Sequence, residues 1–308
     1  MTWLFILLGV IGFLLLVFFI TLIFLHHFTF YTPVKGQNDI YALTPETTKL
    51  GIDKQIFKMI NDLTEKKYTD AYITSYDKLK LHARIYENPK SNKVAIMCHG
   101  YRGTAIRDFS GGALDLINQG LNVILIDERG HGFSKGHNIT FGNREKYDVL
   151  SWYQYAQNRF GKNKEYILVG ISMGAATILF AASLIKEPIK LICDCPYTSE
   201  KEILCESIKN MKLSPRFFYP ILNLSSILFS HSSMNKDNAF ISVKGCPHKI
   251  LIIHGDNDTM VPHKFSLKLA ETYPNIIHYE LFPHAEHGLS YIVDVNRYKK
   301  IVTDFINQ

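Results

Sequence analysis

The chain has 308 residues, 47% of them hydrophobic and 20% charged, with a formal net charge of +6. That balance excludes a disordered or low-complexity chain and fits one large α/β domain carrying one extra apolar element. Lys and Arg do not cluster among aromatics, so no nucleic-acid partner is expected, and five cysteines without a C-x-x-C pair indicate neither a disulfide framework nor a zinc site.

Residues 3–25 are apolar, interrupted only by Gly9, Gly12 and Thr21. As a helix they would extend roughly 35 Å, enough to cross the hydrocarbon core with some tilt. A cleaved signal peptide wants a basic start, a shorter apolar core and a small-x-small site. Residues 1–31 contain no Lys, Arg, Asp or Glu, and Leu25-His26-His27-Phe28 is a poor cleavage site. The reading is a retained single-pass anchor over residues 1–28, with Trp3 at one membrane interface and His26, His27 and Tyr31 at the other. Lys35 and Lys49 on the C-terminal side favour a cytoplasmic domain, whereas the habit of single signal anchors favours the opposite side. All charge lies beyond residue 31; it reads as ordinary surface charge, with attraction to anionic lipid as the alternative.

Residues 29–69 read as a linker with a short helical stretch at 51–65, and residues 70–308 as the α/β domain. Strand-type runs fall at 70–76, 80–86, 93–98, 122–126, 166–169, 190–193, 249–253 and 277–282. From the third run on, helical patterns intervene at 106–119, 144–160, 173–186, 262–273 and 291–307. Such alternation predicts an eight-stranded, mostly parallel sheet with helices on both faces, its first two strands an antiparallel hairpin. Working residues should then gather at the carboxyl ends of the strands. Segment 199–243 breaks the alternation and contains the apolar run from Phe217 to Phe229. It reads as a helical cap over the site, or else as a long crossover helix with an ordinary core face. A cap this apolar beside a membrane hints at acyl or lipid-like substrates.

Gly170-Ile171-Ser172-Met173-Gly174 sits between a strand-type run and a small-residue helical pattern. Strand, sharp turn and helix are the setting in which G-x-S-x-G becomes a nucleophile elbow, so Ser172 is the candidate nucleophile. Gly132-Phe133-Ser134-Lys135-Gly136 matches the same pattern, but polar loop residues surround it, and Ser134 reads as a turn residue. A serine hydroxyl needs a general base and a carboxylate to orient that base. After the seventh run, Asp258 is the preferred carboxylate; Asp256 reads as turn chemistry and Asp194 is the outside alternative. After the last run, His287 is the preferred base over His284, while His254, His263 and His278 read as structural or surface residues. An oxyanion formed on attack needs two N–H donors, assigned to Met173 and Tyr101, with Gly100 allowing close approach. Arg102 reads as facing water, with binding of an anionic substrate group as the alternative.

These pieces together resemble an α/β-hydrolase serine hydrolase over about residues 70–306. The matching motifs are His99-Gly-Tyr-Arg-Gly103, Asp127-Glu-Arg-Gly-His-Gly-Phe-Ser134, Gly170-Ile-Ser-Met-Gly-Ala-Ala176, His254-Gly-Asp-Asn-Asp258 and His287 ahead of Ser290-Tyr291. The arrangement is most similar to bacterial membrane-anchored α/β hydrolases with a single N-terminal helix. Pro196-Tyr197-Thr198-Ser199 resembles the segment after the sixth strand in that branch, where serine often precedes it; here Cys195 stands there. The resemblance implies hydrolysis of esters or related acyl groups without a metal or organic cofactor. It leaves the substrate unnamed, because this fold hosts many chemistries. A serine peptidase of the aminopeptidase or prolyl-oligopeptidase kind, an acyltransferase, and a membrane-tethered binding protein on a hydrolase fold are the alternatives.

Overall fold

The computed structural model describes residues 1–32, 40–43, 47–48 and 51–308; Lys35 and Lys49 lie outside them. The eight apolar runs pair into one sheet: β1 (Thr69–Thr74), β2 (Lys80–Tyr86), β3 (Lys93–Cys98), β4 (Asn122–Ile126), β5 (Glu165–Ile171), β6 (Lys190–Asp194), β7 (Lys249–Gly255) and β8 (Ile277–Phe282). Their order is β1-β2-β4-β3-β5-β6-β7-β8. Only β2 runs against its neighbours, and β4 to β8 form a parallel array. The central strands are buried on both faces, which is why they read as continuous apolar runs.

Helices cover the two faces separately. On one lie α4 (Glu145–Phe160) and α5 (Met173–Ala181), where Trp152, Ile178 and Leu179 meet Ile96, Leu168 and Leu191 of the sheet. On the other lie α2 (Asp53–Thr64), α3 (Ser110–Asn118) and α9 (Val295–Asn307), where Ile60, Leu63, Leu116 and Phe305 meet Ala95, Met97 and Leu251. The short helical stretch expected at 51–65 thus forms as α2, and it packs into the core. Its apolar residues recur at i, i+4 and i+7, and Ile56, Ile60 and Leu63 are core residues.

Two expected helices are each divided. The pattern at 106–119 splits at Phe109 into Ala105–Asp108 and α3, with the Thr104 hydroxyl capping the first turn through Arg107 N. The pattern at 291–307 splits at Asp294, whose carboxylate caps α9 through Arg297 N.

The apolar helix α1 (Thr2–Thr29) ends one residue past the expected anchor boundary, and side chains of the domain satisfy its last carbonyls. The Arg102 guanidinium donates to the carbonyls of Phe28 (2.7 Å) and Tyr31 (3.2 Å), and the Tyr101 hydroxyl donates to that of Thr29 (2.8 Å). Arg102 is exposed, as expected, and its guanidinium also clamps the end of α1. Leu22 and Phe30 are buried, and Phe30 packs edge-on against Phe141.

Segment 199–243 folds as α6 (Glu200–Asn210), α7 (Pro215–Ser230) and a short turn at Ala239–Ser242. Tyr219, Leu222, Ser226 and Ser230 form the buried stripe of α7. Helix α8 (Lys264–Thr272) follows β7.

Candidate active site

β5 carries its chain straight to Ser172, which takes φ +53° and ψ −115° and opens α5. A non-glycine residue held there stores strain of about 1–3 kcal/mol, and such strain gathers at functional turns. Crowding explains the flanking glycines. A Cβ on Gly170 would meet the Gly174 and Ala175 backbone at 2.5 Å, and one on Gly174 would overlap the Cys98 carbonyl. The Ser172 N–H donates to the Asp194 carbonyl at 2.8 Å, tying the turn to the end of β6.

The structure brings Ser172, His287 and Asp258 together. His287 Nδ1 lies 2.7 Å from Asp258 Oδ2, and His287 Nε2 lies 2.8 Å from Ser172 Oγ. An ionised carboxylate only accepts, so Nδ1 carries the proton and Nε2 is left to accept from the serine hydroxyl. The other Asp258 oxygen accepts the N–H groups of Met260 (3.0 Å) and Val261 (2.8 Å). Burial by itself would raise the Asp258 carboxyl. Hydrogen bonds from His254 and His287, the charge of His287 and the Val261 N–H hold it well below the usual carboxylate range.

His254, which the sequence pattern reads as a structural or surface residue, takes a structural place beside the cluster. It is fully buried, and its Nε2 faces both Asp258 Oδ2 (3.2 Å) and the Val261 carbonyl (2.9 Å), so that nitrogen carries a proton. It therefore braces the same Asp258 oxygen that His287 engages. The only signal was its place at the end of β7, four residues before Asp258.

Asp256, His284 and Ser134 stay outside this cluster. Asp256 accepts the His284 N–H at 2.6 Å, closing a turn. Ser134 is buried, donates to the Asp127 carbonyl (2.6 Å) and accepts from His82 N (2.8 Å). His278 pairs with Glu280 at the surface, and the His263 carbonyl accepts from Ser266. Asp194 does line the cavity, where burial pushes its carboxyl up to about 6 against the hydrogen bond from Tyr298.

Gly100 and Tyr101 lie beside Ser172, and two neutral histidines hold their loop. His99 Nδ1 donates to the Gly100 carbonyl (2.8 Å) while its Nε2 accepts from Glu128 N (3.0 Å). His131 Nε2 accepts from Arg102 N (3.2 Å) while its Nδ1 donates to the Arg129 carbonyl (3.0 Å). Burial lowers both, His131 to about 3. Asp108 accepts the Gly100 N–H at 3.0 Å. The N–H groups of Tyr101 and Met173 have no partner among the described residues.

A cavity of about 280 Å³ opens over Ser172 and His287. Its apolar walls come from Leu43, Ile56, Met59, Phe109, Ile171 and Met260, and Tyr101 forms another side. No residue of segment 199–243 is among those lining this cavity, whereas Leu43, Thr47, Ile56 and Met59, all ahead of β1, are. Sequence patterning missed Leu43, Ile56 and Met59 because apolar residues in a short amphipathic stretch announce burial, not which cavity they line.

Cys195 Sγ lies 3.9 Å from His287 Nε2, and Cys195, Asp258 and His287 could together offer three ligand atoms to a metal. Two of the three already bond each other, and burial pushes the Cys195 thiol well up, which disfavours the thiolate that a metal requires.

Residues 89–244 match the family described as serine aminopeptidase, S33, over just over half of the chain. This chain belongs to that family of α/β hydrolases. Its fold resembles the solved structure of the Pyrococcus furiosus esterase Pf2001, with a TM-score of 0.67 and 23% identity, covering 91% of this chain and 98% of that one. Among curated proteins it is similar to the uncharacterized protein YqkD of Bacillus subtilis (strain 168), 23% identical over 291 residues, 94% of this chain and 92% of the relative. It also resembles lysophosphatidylserine lipase ABHD12 of Danio rerio, 28% identical over 189 residues, 58% of this chain and 47% of that protein.

Proposed function

We propose that this α/β hydrolase is a membrane-anchored serine hydrolase that cleaves carboxylic (acyl) esters. Ser172 Oγ attacks the acyl carbon as its proton passes to His287 Nε2, and the N–H groups of Tyr101 and Met173 receive the oxyanion. The leaving alkoxide takes the proton from His287 and departs as an alcohol. Water, deprotonated by His287, then attacks the acyl-enzyme and releases the acid and Ser172. Asp258 keeps the imidazole in one tautomer and balances its charge. The observation that carries this reading is the hydrogen-bonded run Ser172–His287–Asp258, at 2.8 and 2.7 Å, facing a largely apolar cavity. An apolar acyl group suits those walls, in keeping with the esterase and lipase among the similar proteins.

Membrane anchoring is supported by the 28 residues of α1, with mean hydropathy 3.1 over its most apolar stretch and almost none of that stretch buried. Its last turns are built into the domain through Tyr101, Arg102 and Phe30, which suits a retained helix better than a removable leader. In this reading the hydrolase domain begins ahead of β1 and includes α2.

A peptidase reading has one observation in its favour, the description of the family that the chain matches. The test is fluorophosphonate labelling of wild type, Ser172→Ala and Ser134→Ala, followed by a comparison of p-nitrophenyl acyl esters with aminoacyl p-nitroanilides. Labelling that survives Ser172→Ala would sink the nucleophile assignment, and faster anilide cleavage would replace the esterase reading with the peptidase one.

A further inference from the structure

We infer that α7 is a second membrane element, lying in the polar–apolar boundary of an anionic bilayer beside α1; this rests on the reading of α1 as a membrane anchor. The sequence of α7 carries no charged residue after Arg216. With Tyr219, Leu222, Ser226 and Ser230 turned inward, the opposite face presents Phe217, Phe218, Leu224, Ile227 and Leu228 to the outside. Phe217 is 69% exposed and Leu228 45%, a continuous apolar face that a domain surrounded by water would not favour.

Two observations commit this face to lipid. First, it continues the surface of α1: the Phe229 ring lies 6.0 Å from Phe19 and 5.3 Å from His26, and His26 Nε2 bonds Ser230 Oγ at 2.9 Å. Phe19 lies seven residues, about 10 Å of helix, inward of His26. The C-terminal end of α7 thus meets α1 at a level where α1 itself is apolar and exposed, with Ile23 at 45% and Phe24 at 65%. Second, the rim is basic. Between Glu206 and Asp237 the charged residues are Lys209, which pairs with Glu206 at 2.9 Å, and Lys212, Arg216 and Lys236, all exposed. Apolar side chains below a cationic rim are the pattern of a helix lying in the interface of an anionic leaflet. Together α1 and α7 would hold the domain by two adjacent points, with Tyr101 linking the end of α1 to the cavity wall.

Tryptophan quenching by brominated lipid tests this in the full chain. Trp3→Phe serves as parent, and Trp152 is buried, so an introduced tryptophan carries the signal. Phe217→Trp, Leu224→Trp and Leu228→Trp are reconstituted in vesicles of phosphatidylglycerol with acyl-chain-brominated phosphatidylcholine. Leu14→Trp reports α1 itself, and Lys162→Trp reports the far end of the sheet, with circular dichroism confirming each fold. The expectation is quenching at 217, 224 and 228 by about twofold or more, approaching that at 14, with little at 162. Quenching at 14 but not at the α7 positions overturns this inference and leaves the anchor standing; no quenching at either overturns both. Pairing of two chains through α7 would also shield those positions from bromine and count against it.

Discussion

Ser172 and Ser134 answer to the same five-residue pattern, and each has a histidine and an aspartate close by. Around Ser134, His82 Nδ1 meets Asp127 at 2.7 Å and its Nε2 meets Asp70 at 2.8 Å, so both imidazole nitrogens are committed to carboxylates. Only the His82 backbone reaches the serine, whose hydroxyl is already spent on the Asp127 carbonyl. Around Ser172 the imidazole spans the gap between one carboxylate and the serine. The backbones differ as well. In the Ser134 turn the glycines take positive φ, +50° at Gly132 and +102° at Gly136, whereas at the elbow the serine itself does so. Residue types alone thus make a static clamp in one place and a hydrogen-bonded hydroxyl–imidazole–carboxylate run in the other. What separates them is which atom of the histidine faces the hydroxyl, and whether strain or burial holds the serine.

The largest expected effect separates the two serines directly. Ser172→Ala should lower kcat by about 10⁶-fold with little change in melting temperature, as removal of a triad nucleophile does. Ser134→Ala should change kcat less than about twofold per folded molecule yet cost about 1–3 kcal/mol in urea unfolding, since it strands the buried His82 N–H. Equal losses of kcat in both would break the contrast. Next comes Asp258→Asn, expected to cost about 10⁴-fold in kcat at neutral pH because the amide no longer selects the Nδ1–H tautomer. Single-turnover acylation rates would measure it.

His254→Gln should act more weakly, about tenfold in kcat with KM little changed, because it only positions Asp258. Its pH–rate profile should shift as well, and a fall in melting temperature without that shift would assign it a purely structural role. The smallest effect distinguishes the histidines by sign. Burial lowers His82, but hydrogen bonds and charge from Asp127 and Asp70 outweigh it and raise its pKa above 6.5. Its contribution to stability is fully present below 6.5 and is lost as pH rises through the raised value. The destabilisation caused by His82→Gln should therefore be larger at pH 6 than at pH 9. His131, lowered to about 3, acts the other way: its contribution holds above 6.5 and is lost as pH falls toward 3. His131→Gln should flatten part of the acid limb of a stability–pH curve.

What the sequence determined by itself was whatever local pattern or chain order encodes. Period-two and continuous apolar runs located all eight strands, and the strand–turn–helix setting singled out Ser172 over Ser134, because these depend on neighbours a few residues away. Chain order brought Asp258 and His287 into consideration, since a parallel sheet delivers its strand ends to one edge. Tertiary structure decided what depends on contacts between distant segments. It joined α2 to the core and to the cavity wall, paired Arg102 with carbonyls at the end of α1, bonded His254 to Asp258, and left segment 199–243 out of the cavity lining. The partners in these contacts lie four residues apart in one case and tens of residues apart in the rest. No periodicity records such meetings, because burial and hydrogen bonding are satisfied in space and leave in the sequence only an apolar or polar residue whose partner is unnamed.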